Sequence, residues 1–383
     1  MIEADRASFE KRARICVIGV GGGGNNAVDR MIEDNIEGVE FIAVNTDAQV
    51  LARSKAPTRI QLGEKLTQGL GAGGDPDTGS RAAEESSDQL LAAINGVDML
   101  FVTAGMGGGT GTGAAPVIAA LAKKHNVLTV GVVTKPFGFE GRVRMENAIK
   151  GIDELFKNVD TLLVVPNDKL LEVMDDTATL AEGLKKADEV LTHAVQGISN
   201  IITNAGTINM DFADIRTTLK DKGMAHIGIG WADGKDRALK AAENAISSPL
   251  LETSIVGASA VLVNLVGPTN IGLQETNKAS SYIQKQINRP DCNFIFGANM
   301  DMPDDRVMVT VVATGFSGGP ITGSMKFIEM DAIVSPELNK DNDKDIDINR
   351  DDAPSEEPPA PAAKSSSGDQ QIVLPVFVRR NKR

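Results

Sequence analysis

The chain has 383 residues, 42% of them hydrophobic, with a formal net charge of −13; this is more than one hydrophobic core fills, so two folded units plus additional segments are expected. The acidic balance, the lack of clustered Lys and Arg, and a single Trp and Tyr exclude nucleic acid as an expected partner, although a nucleotide needs only backbone amides and helix N-termini. Cys16 and Cys292 lie far apart, which indicates no disulfide framework, and the absence of a signal-peptide pattern or an apolar run of ~18 residues predicts a cytoplasmic protein with no membrane span.

Residues 1–12 read as a flexible N-terminal segment. From Arg14 to about Pro166 the β-branched runs ICVIGV, VEFIAVN, DMLFVTA, VLTVGVV and TLLVVP alternate with helix-length segments. That alternation predicts an α/β class with a doubly wound parallel sheet, and strands apolar on both sides fit burial on both faces. The first domain is placed at 13–177. Residues 178–204 carry apolar residues at helical spacing without proline and predict one long connecting core helix. Beyond it, HIGIGWA, SAVLVNLVG, CNFIFGA and RVMVTVVAT, interleaved with the helical patterns DRALKAAENAIS and ETNKASSYIQKQI, predict a smaller α/β C-terminal domain over 205–318.

The composition then changes. Residues 331–370 hold eleven acidic residues against four basic ones and include PSEEPPAPAAKSSSG, so 319–370 reads as a disordered acidic linker. The last thirteen residues, QIVLPVFVRRNKR, are apolar and then carry four positive charges. An apolar, basic tip on an acidic tether reads as a partner-binding peptide over 371–383, with Val376, Phe377 and Val378 as anchors for a groove; nonspecific contact with anionic lipid is the alternative.

Two glycine-rich loops carry the chemistry. GVGGGGNNAV directly follows the strand ICVIGV and opens a helix, and Gly19, Gly21 and Gly24 match a dinucleotide-binding fingerprint, with Asp47 near where a ribose-binding acid would stand. The motif alone is equally compatible with a tight turn. AGMGGGTGTGAAP, from Ala104 to Pro116, again joins a strand to a helix, and Thr110 and Thr112 add hydroxyl donors. Two sets of amides and two positive helix ends aimed at one sheet edge suit a di- or triphosphate. Neither loop is a Walker A loop, since neither ends in Gly-Lys-Ser/Thr.

GGGTGTG resembles the signature loop of the tubulin/FtsZ superfamily. GLGAGGDP, TKPFGFEGR, PNDKLL, NMDFADIR and SSPLLE resemble segments of bacterial FtsZ, in the same order, over roughly residues 12–318 and again in the terminal peptide. The resemblance implies a GTP-binding domain at 13–177 and an assembly domain at 205–318. It implies that Gly22, Gly23, Gly24, Asn25 and Asn26 line the phosphates and base, and that Gly109, Thr110 and Gly111 hold the β- and γ-phosphates. Ala72, Gly73 and Gly74 would sense the γ-phosphate, Glu140 and Arg144 would contact ribose and phosphates, and Asn167 and Asp188 would reach guanine. A carboxylate suits guanine because it accepts from both N1–H and the 2-amino group.

The same resemblance places catalysis on Asn209, Asp211 and Asp214, in a loop inserted beneath the next subunit, so that GTP hydrolysis depends on assembly. Read alone, Asp211 before a helical stretch is more readily an N-cap, and only the surrounding resemblance favours the catalytic role. The implied protein is a GTPase that forms a head-to-tail homopolymer and builds the cytokinetic ring at mid-cell. Its cofactors are GTP/GDP with Mg2+ carried by the nucleotide, and its partners are a membrane tether such as FtsA, bound through 371–383, and other division proteins. No metal ligands are expected from the protein, since His125, His193 and His226 show no paired spacing. Leu184 stands where many FtsZ chains have an aromatic residue against guanine, with Lys185 and Lys186 beside it. The competing readings are a catalytically silent tubulin-like scaffold and an NAD-dependent oxidoreductase; the latter lacks a hydride-transfer constellation and leaves GGGTGTG unexplained.

Overall fold

A computed structural model of the chain describes residues 13–316 except 173, 176, 204–210, 248–254, 301 and 303. The first half alternates as the sequence predicts: β1 (Ile15–Val20), α1 (Gly21–Glu33), β2 (Val39–Asn45), α2 (Ala48–Arg53), β3 (Thr58–Gln61), α3 (Glu64–Thr67), α4 (Pro76–Glu85), α5 (Ser87–Ile94), β4 (Met99–Gly105), α6 (Thr110–Lys124), β5 (Leu128–Lys135), α7 (Arg142–Asn158) and β6 (Thr161–Pro166). After α8 (Asp168–Leu171) the long helix α9 (Leu180–Thr203) follows, and then α10 (Phe212–Leu219), β7 (Gly223–Ala232), α11 (Arg237–Ile246), β8 (Ala260–Val266), α12 (Leu273–Ile287), β9 (Asn293–Asn299) and β10 (Val307–Thr314). The predicted linker and terminal peptide, Asn209 and most of SSPLLE lie outside the described residues.

All ten strands join one sheet in the order β3-β2-β1-β4-β5-β6-β7-β10-β8-β9. Strands β1 to β6 are parallel, with Ile15 opposite Val39 on one side and Met99 on the other. The second half joins through only three residue pairs, Thr161–Gly223 to Leu163–Ala225, and β10 runs antiparallel to both β7 and β8.

Alternate residues of β1 enter different cores, because successive side chains of a strand point to opposite faces. Cys16, Ile18 and Val20 pack under α4, α5, α6 and α7, while Ile15 and Val17 pack under α1 and α9. The second core continues along α9 through Leu191, Val195 and Ile198 to Leu262 and Val312 on the far strands. A third core, lined by Ala238, Ala241 and Ala242 of α11 and Ile283 of α12, covers the other face of β8 and β10. The 24 residues of α9 span ~36 Å at 1.5 Å per residue, running from the C-terminal edge of the parallel strands to the opposite edge.

Side-chain caps fix the starts of α2 and α4. Asp47 Oδ1 accepts from the amides of Gln49 and Val50 and caps α2. Asp75 caps α4 through the amides of Asp77 and Thr78, with Pro76 at the first helical position. These hydrogen bonds, led by the one from the Thr78 hydroxyl, hold the Asp75 carboxyl below its usual pKa.

Candidate functional site

The loops that end β1 and β4 meet at the C-terminal edge because those strands are neighbours. A Cβ on Gly21 would lie 2.9 Å from Gly111 N, and one on Gly111 would lie 2.6 Å from Gly105 O. Only glycine lets the two backbones approach this closely. The helices that follow, α1 and α6, have Val20 and Gly109 as N-caps, with no side-chain cap and no acidic residue in the first turn. α7 begins beside them, since a Cβ on Gly107 would lie 2.8 Å from Arg144 O, and it too starts with no side-chain cap and no acid. Three helix N-termini with no side-chain cap and no acid in the first turn make an anion-binding edge.

The segment from Gly69 to Asp75 closes this edge from the side of α4. Gly71, Gly73 and Gly74 have φ of +88°, +60° and +79°, a left-handed path that other residues rarely take. A Cβ on Gly109 would lie 2.8 Å from Ala72 Cβ, so this loop touches the second glycine loop directly. Of Ala72, Gly73 and Gly74, placed by the resemblance at the terminal phosphate, Ala72 is thus brought against Gly109. Gly22, Gly73, Gly74 and Gly108 all face open space.

Several predicted residues act differently from their neighbours. Asn25 is buried; its Nδ2 donates to Gly19 O at 2.8 Å and to Val44 O at 3.3 Å, and its Oδ1 accepts from Asn45 at 2.8 Å. Its side chain therefore ties the glycine loop to β2, leaving its backbone on the first turns of α1. Thr112, read from the sequence as a hydroxyl donor toward the ligand, is turned inward: it is buried and its Oγ1 accepts from Gly107 N at 2.8 Å. Asp47, read as a possible ribose acid, caps α2 instead, because two helix amides lie within reach of Oδ1. Glu140 accepts from Phe137 N at 2.9 Å and pairs with Arg144 at 2.8 Å, so the two predicted contact residues hold one another beside α7.

The predicted base-contacting residues each lie within two positions in the chain of a member of a small apolar cluster of Phe137, Val165, Leu170, Ala187 and Val190. Asn167 ends β6 and Asp188 follows Ala187 on α9. Asn167 is buried and its Oδ1 has no hydrogen-bond partner among the described residues. A buried acceptor without a donor is unfavourable unless something else supplies one. Burial also pushes the Asp188 carboxyl up to about 7, with the Arg30 guanidinium opposing that rise and Glu189 adding to it. Two acceptor groups that no described residue is seen to donate to, one of them a desolvated carboxylate, fit a base that presents three N–H hydrogens on one side, as guanine does. Leu184 is 47% exposed on the same helix, and Lys186 pairs with Glu189 at 3.2 Å.

Asp211 and Asp214 lie elsewhere. Helix α10 is seated by Ile215 and Leu219, which are buried, while Asp211 and Asp214 are exposed. The backbone carbonyl of Asp211 accepts from Asp214 N at 3.0 Å, yet its side chain makes no cap hydrogen bond. The expected capping role is therefore absent from the carboxylate, and both acids are free of described partners. Arg216 donates to Asn126 O in the turn before β5, and the Thr161 hydroxyl at the start of β6 donates to Leu219 O. These contacts place α10 at the N-terminal edge of the parallel strands, opposite the glycine loops. Eight residues of β5 separate the two edges by ~26 Å at 3.3 Å per residue.

Among the described residues no group of three or more His, Cys, Asp or Glu is placed to hold a metal ion, and no helix is long and apolar enough to cross a membrane. Sequence reasoning missed Thr46, whose hydroxyl meets that of Thr110 at 2.6 Å. Its signal was the Asn-Thr-Asp triplet at the end of β2, of which only the acid was considered.

Residues 14–175 match the GTPase domain of the tubulin/FtsZ family, and residues 223–317 match the C-terminal domain of the FtsZ family. Among solved structures, an empty FtsZ dimer from M. jannaschii is 46% identical over 79% of this chain and 88% of its own, with a TM-score of 0.76. GDP-bound monomeric CetZ1 from Haloferax volcanii is 24% identical over 84% of this chain and 99% of its own, TM-score 0.71. CetZ2 from the same organism, in a GTPγS-bound protofilament, is 22% identical over 85% and 100%, TM-score 0.70; the CetZ likeness concerns the fold alone. With uncapped helix ends around two interlocked glycine loops and these matches across both halves, the chain belongs to the FtsZ branch of the tubulin/FtsZ family of GTPases.

Proposed function

We propose that this chain is an assembly-dependent GTPase that forms head-to-tail filaments, each copy hydrolysing the nucleotide held by its neighbour. The observation that carries the reading is the separation of parts. The phosphate-facing loops and the free acids Asp211 and Asp214 occupy opposite edges of one sheet, so a single copy cannot bring them together. Stacking copies along the strand direction would bring α10 of one toward the loops of the next.

In this mechanism the free amides of α1, α6 and α7 hold the phosphates, and Ala72, Gly73 and Gly74 enclose the terminal one. Asn167 and Asp188 fix guanine, while adenine would offer Asp188 a lone pair at N1 in place of a proton. Asp211 and Asp214 of the adjacent copy accept hydrogen bonds from the attacking water and orient it in line with the γ-phosphate. Phosphoryl transfer depends mainly on such positioning and on charge stabilisation. Mg2+, arriving with the triphosphate, supplies charge neutralisation. Asn209 belongs to the same proposed loop but lies outside the described residues.

The wider role follows from the sequence resemblance: a filament of the division ring at mid-cell in the cytoplasm, with 371–383 binding a tether such as FtsA. The named FtsZ structure is archaeal, so a bacterial setting rests on the resemblance alone. Sedimentation and phosphate release with Mg2+ and GTP, GDP or ATP test the proposal. Pelleting and turnover with GTP, rising more than linearly with protein concentration, are expected. Asp214→Ala should bind GTP as the parent does and release no phosphate. Nucleotide binding without pelleting or turnover would favour the silent scaffold.

A further inference from the structure

The turn between β2 and α2 holds a residue that the nucleotide reading does not use. Thr46 is 0% exposed, and its Oγ1 lies 2.6 Å from Oγ1 of Thr110, the first residue of α6. No other described group hydrogen-bonds the Thr46 hydroxyl. A buried hydroxyl proton without an acceptor is unfavourable, so the arrangement that satisfies Thr46 is donation to Thr110 Oγ1. That donation fills one lone pair of Thr110 and leaves the Thr110 proton free to point away from Thr46, toward the space before α6 that Gly108 faces. The opposite arrangement would turn oxygen lone pairs toward an anion.

The same residue anchors the loop on the other side of that space. Thr46 O accepts from Gly71 N at 3.2 Å and from the Thr67 hydroxyl at 3.3 Å. Ala48 N donates to Gly69 O at 3.1 Å, and Asp47 pairs with Leu70 in an isolated antiparallel bridge. Between Gly71 and Asp75 the loop has left-handed residues at Gly73 and Gly74, so its seat is this short stretch of backbone. One enclosed side chain thus touches the hydroxyl at the head of α6, and its own carbonyl holds the segment that leads to Ala72.

We propose that Thr46 is a positioning residue for the terminal phosphate. It sets the direction of the Thr110 proton and the seat of the 69–74 loop together, so that the site distinguishes a nucleoside triphosphate from a diphosphate. This rests on the guanine-nucleotide reading above. The side chain itself is too enclosed to touch the nucleotide, and its effect passes through Thr110 and Gly71.

The test is titration of GDP and of a non-hydrolysable GTP analogue into the full-length parent, Thr46→Val, Thr46→Ser, Thr110→Val and the Thr46→Val/Thr110→Val double variant. Thr46→Val keeps the shape and removes the donor; it should weaken the triphosphate about 3- to 10-fold, the range for one hydrogen bond, while GDP changes less than about twofold. Thr46→Ser should restore the parent ratio. In the Thr110→Val background the second substitution should add nothing, because the Thr46 side chain reaches the phosphate through Thr110 alone, while the bond to Gly71 N is made by the backbone carbonyl that every variant keeps. Equal weakening of both nucleotides by Thr46→Val, failure of Thr46→Ser to restore the ratio, or additive losses in the double variant would each overturn the proposal. A parent that binds neither nucleotide would remove the guanine reading and this proposal together, whereas a parent that binds both and variants that match it would remove this one alone.

Discussion

The proposed contact of Asp188 with guanine predicts that nucleotide affinity depends on pH in the neutral range. In the unliganded protein its carboxyl is raised to about 7 by burial. Guanine would donate N–H groups to the ionised form, which lowers the pKa in the complex and releases a proton on binding. With a free-state pKa of about 7, the ionised fraction is about one-eleventh at pH 6 and about ten-elevenths at pH 8. Affinity for GDP should therefore rise about tenfold from pH 6 to pH 8 and level off above that. The charged neighbours are Arg30, which favours the carboxylate, and Glu189, which opposes it; Lys186 and His193 lie on the same helix. His193 is held below its usual 6.5 by burial, so it is neutral over the upper part of this window. Calorimetric titrations of GDP in two buffers of different ionisation heat would read both affinity and released protons. Asp188→Asn offers one acceptor and one donor, so it should bind weakly at every pH and lose the slope. A parent affinity flat from pH 6 to pH 8, or a slope retained in Asp188→Asn, would refute the assignment.

The same raised pKa has the opposite sign for stability. Between the ordinary carboxyl value of 3.8 and about 7 the folded chain holds a proton that the unfolded chain has lost, so stability falls as pH rises through that window. Asp188→Asn should melt higher than the nucleotide-free parent at pH 8, with the gap closing at pH 4. Mixing should separate interfacial from internal catalysis: Asp214→Ala combined with a variant unable to bind nucleotide should release phosphate when neither does alone. In the second half, Arg237 is 9% exposed and binds Glu275 at 3.2 Å, Asn270 at 2.8 Å and Asp305 O at 2.9 Å. Arg237→Met should lower stability by about 1 kcal/mol in urea unfolding, since Glu275 and the exposed Asn270 and Asp305 lose a charged donor but regain water. Gly113→Ala would drive a methyl group into Pro76 O; an overpacking loss of about 1–3 kcal/mol, with weakened nucleotide binding as α4 and its loop shift, is expected from melting curves and titration.

Much of the fold was legible in the chain because the relevant physics is local. Continuous apolar runs such as Ile15–Val20 and Met99–Gly105 announced strands buried on both faces, and the absence of proline with helical spacing announced α9. The two glycine loops could be placed at strand-to-helix junctions from order alone, and parallel strands put such junctions at one sheet edge. The side-chain directions were not legible. Thr110 and Thr112 are two residues apart in one motif, yet one faces Thr46 and the other folds back on Gly107. Asp47 and Asp211 both precede helices, yet only Asp47 caps with its carboxylate.

Element order, the position of the two glycine-rich loops and the family were legible in the chain, since strand burial, helix periodicity and glycine-rich turns act over a few neighbouring residues. Only the tertiary structure decided which polar atoms remain unpaired. Asn167 Oδ1 is left without a described partner where β6 passes into α8, and Asp188 is desolvated next to Ala187 of the apolar cluster that also holds Leu170. The distance between the glycine loops and Asp214 likewise follows from strand direction and from where α9 returns the chain. Hydrogen-bond satisfaction and burial are properties of the packed whole, and a short motif carries neither.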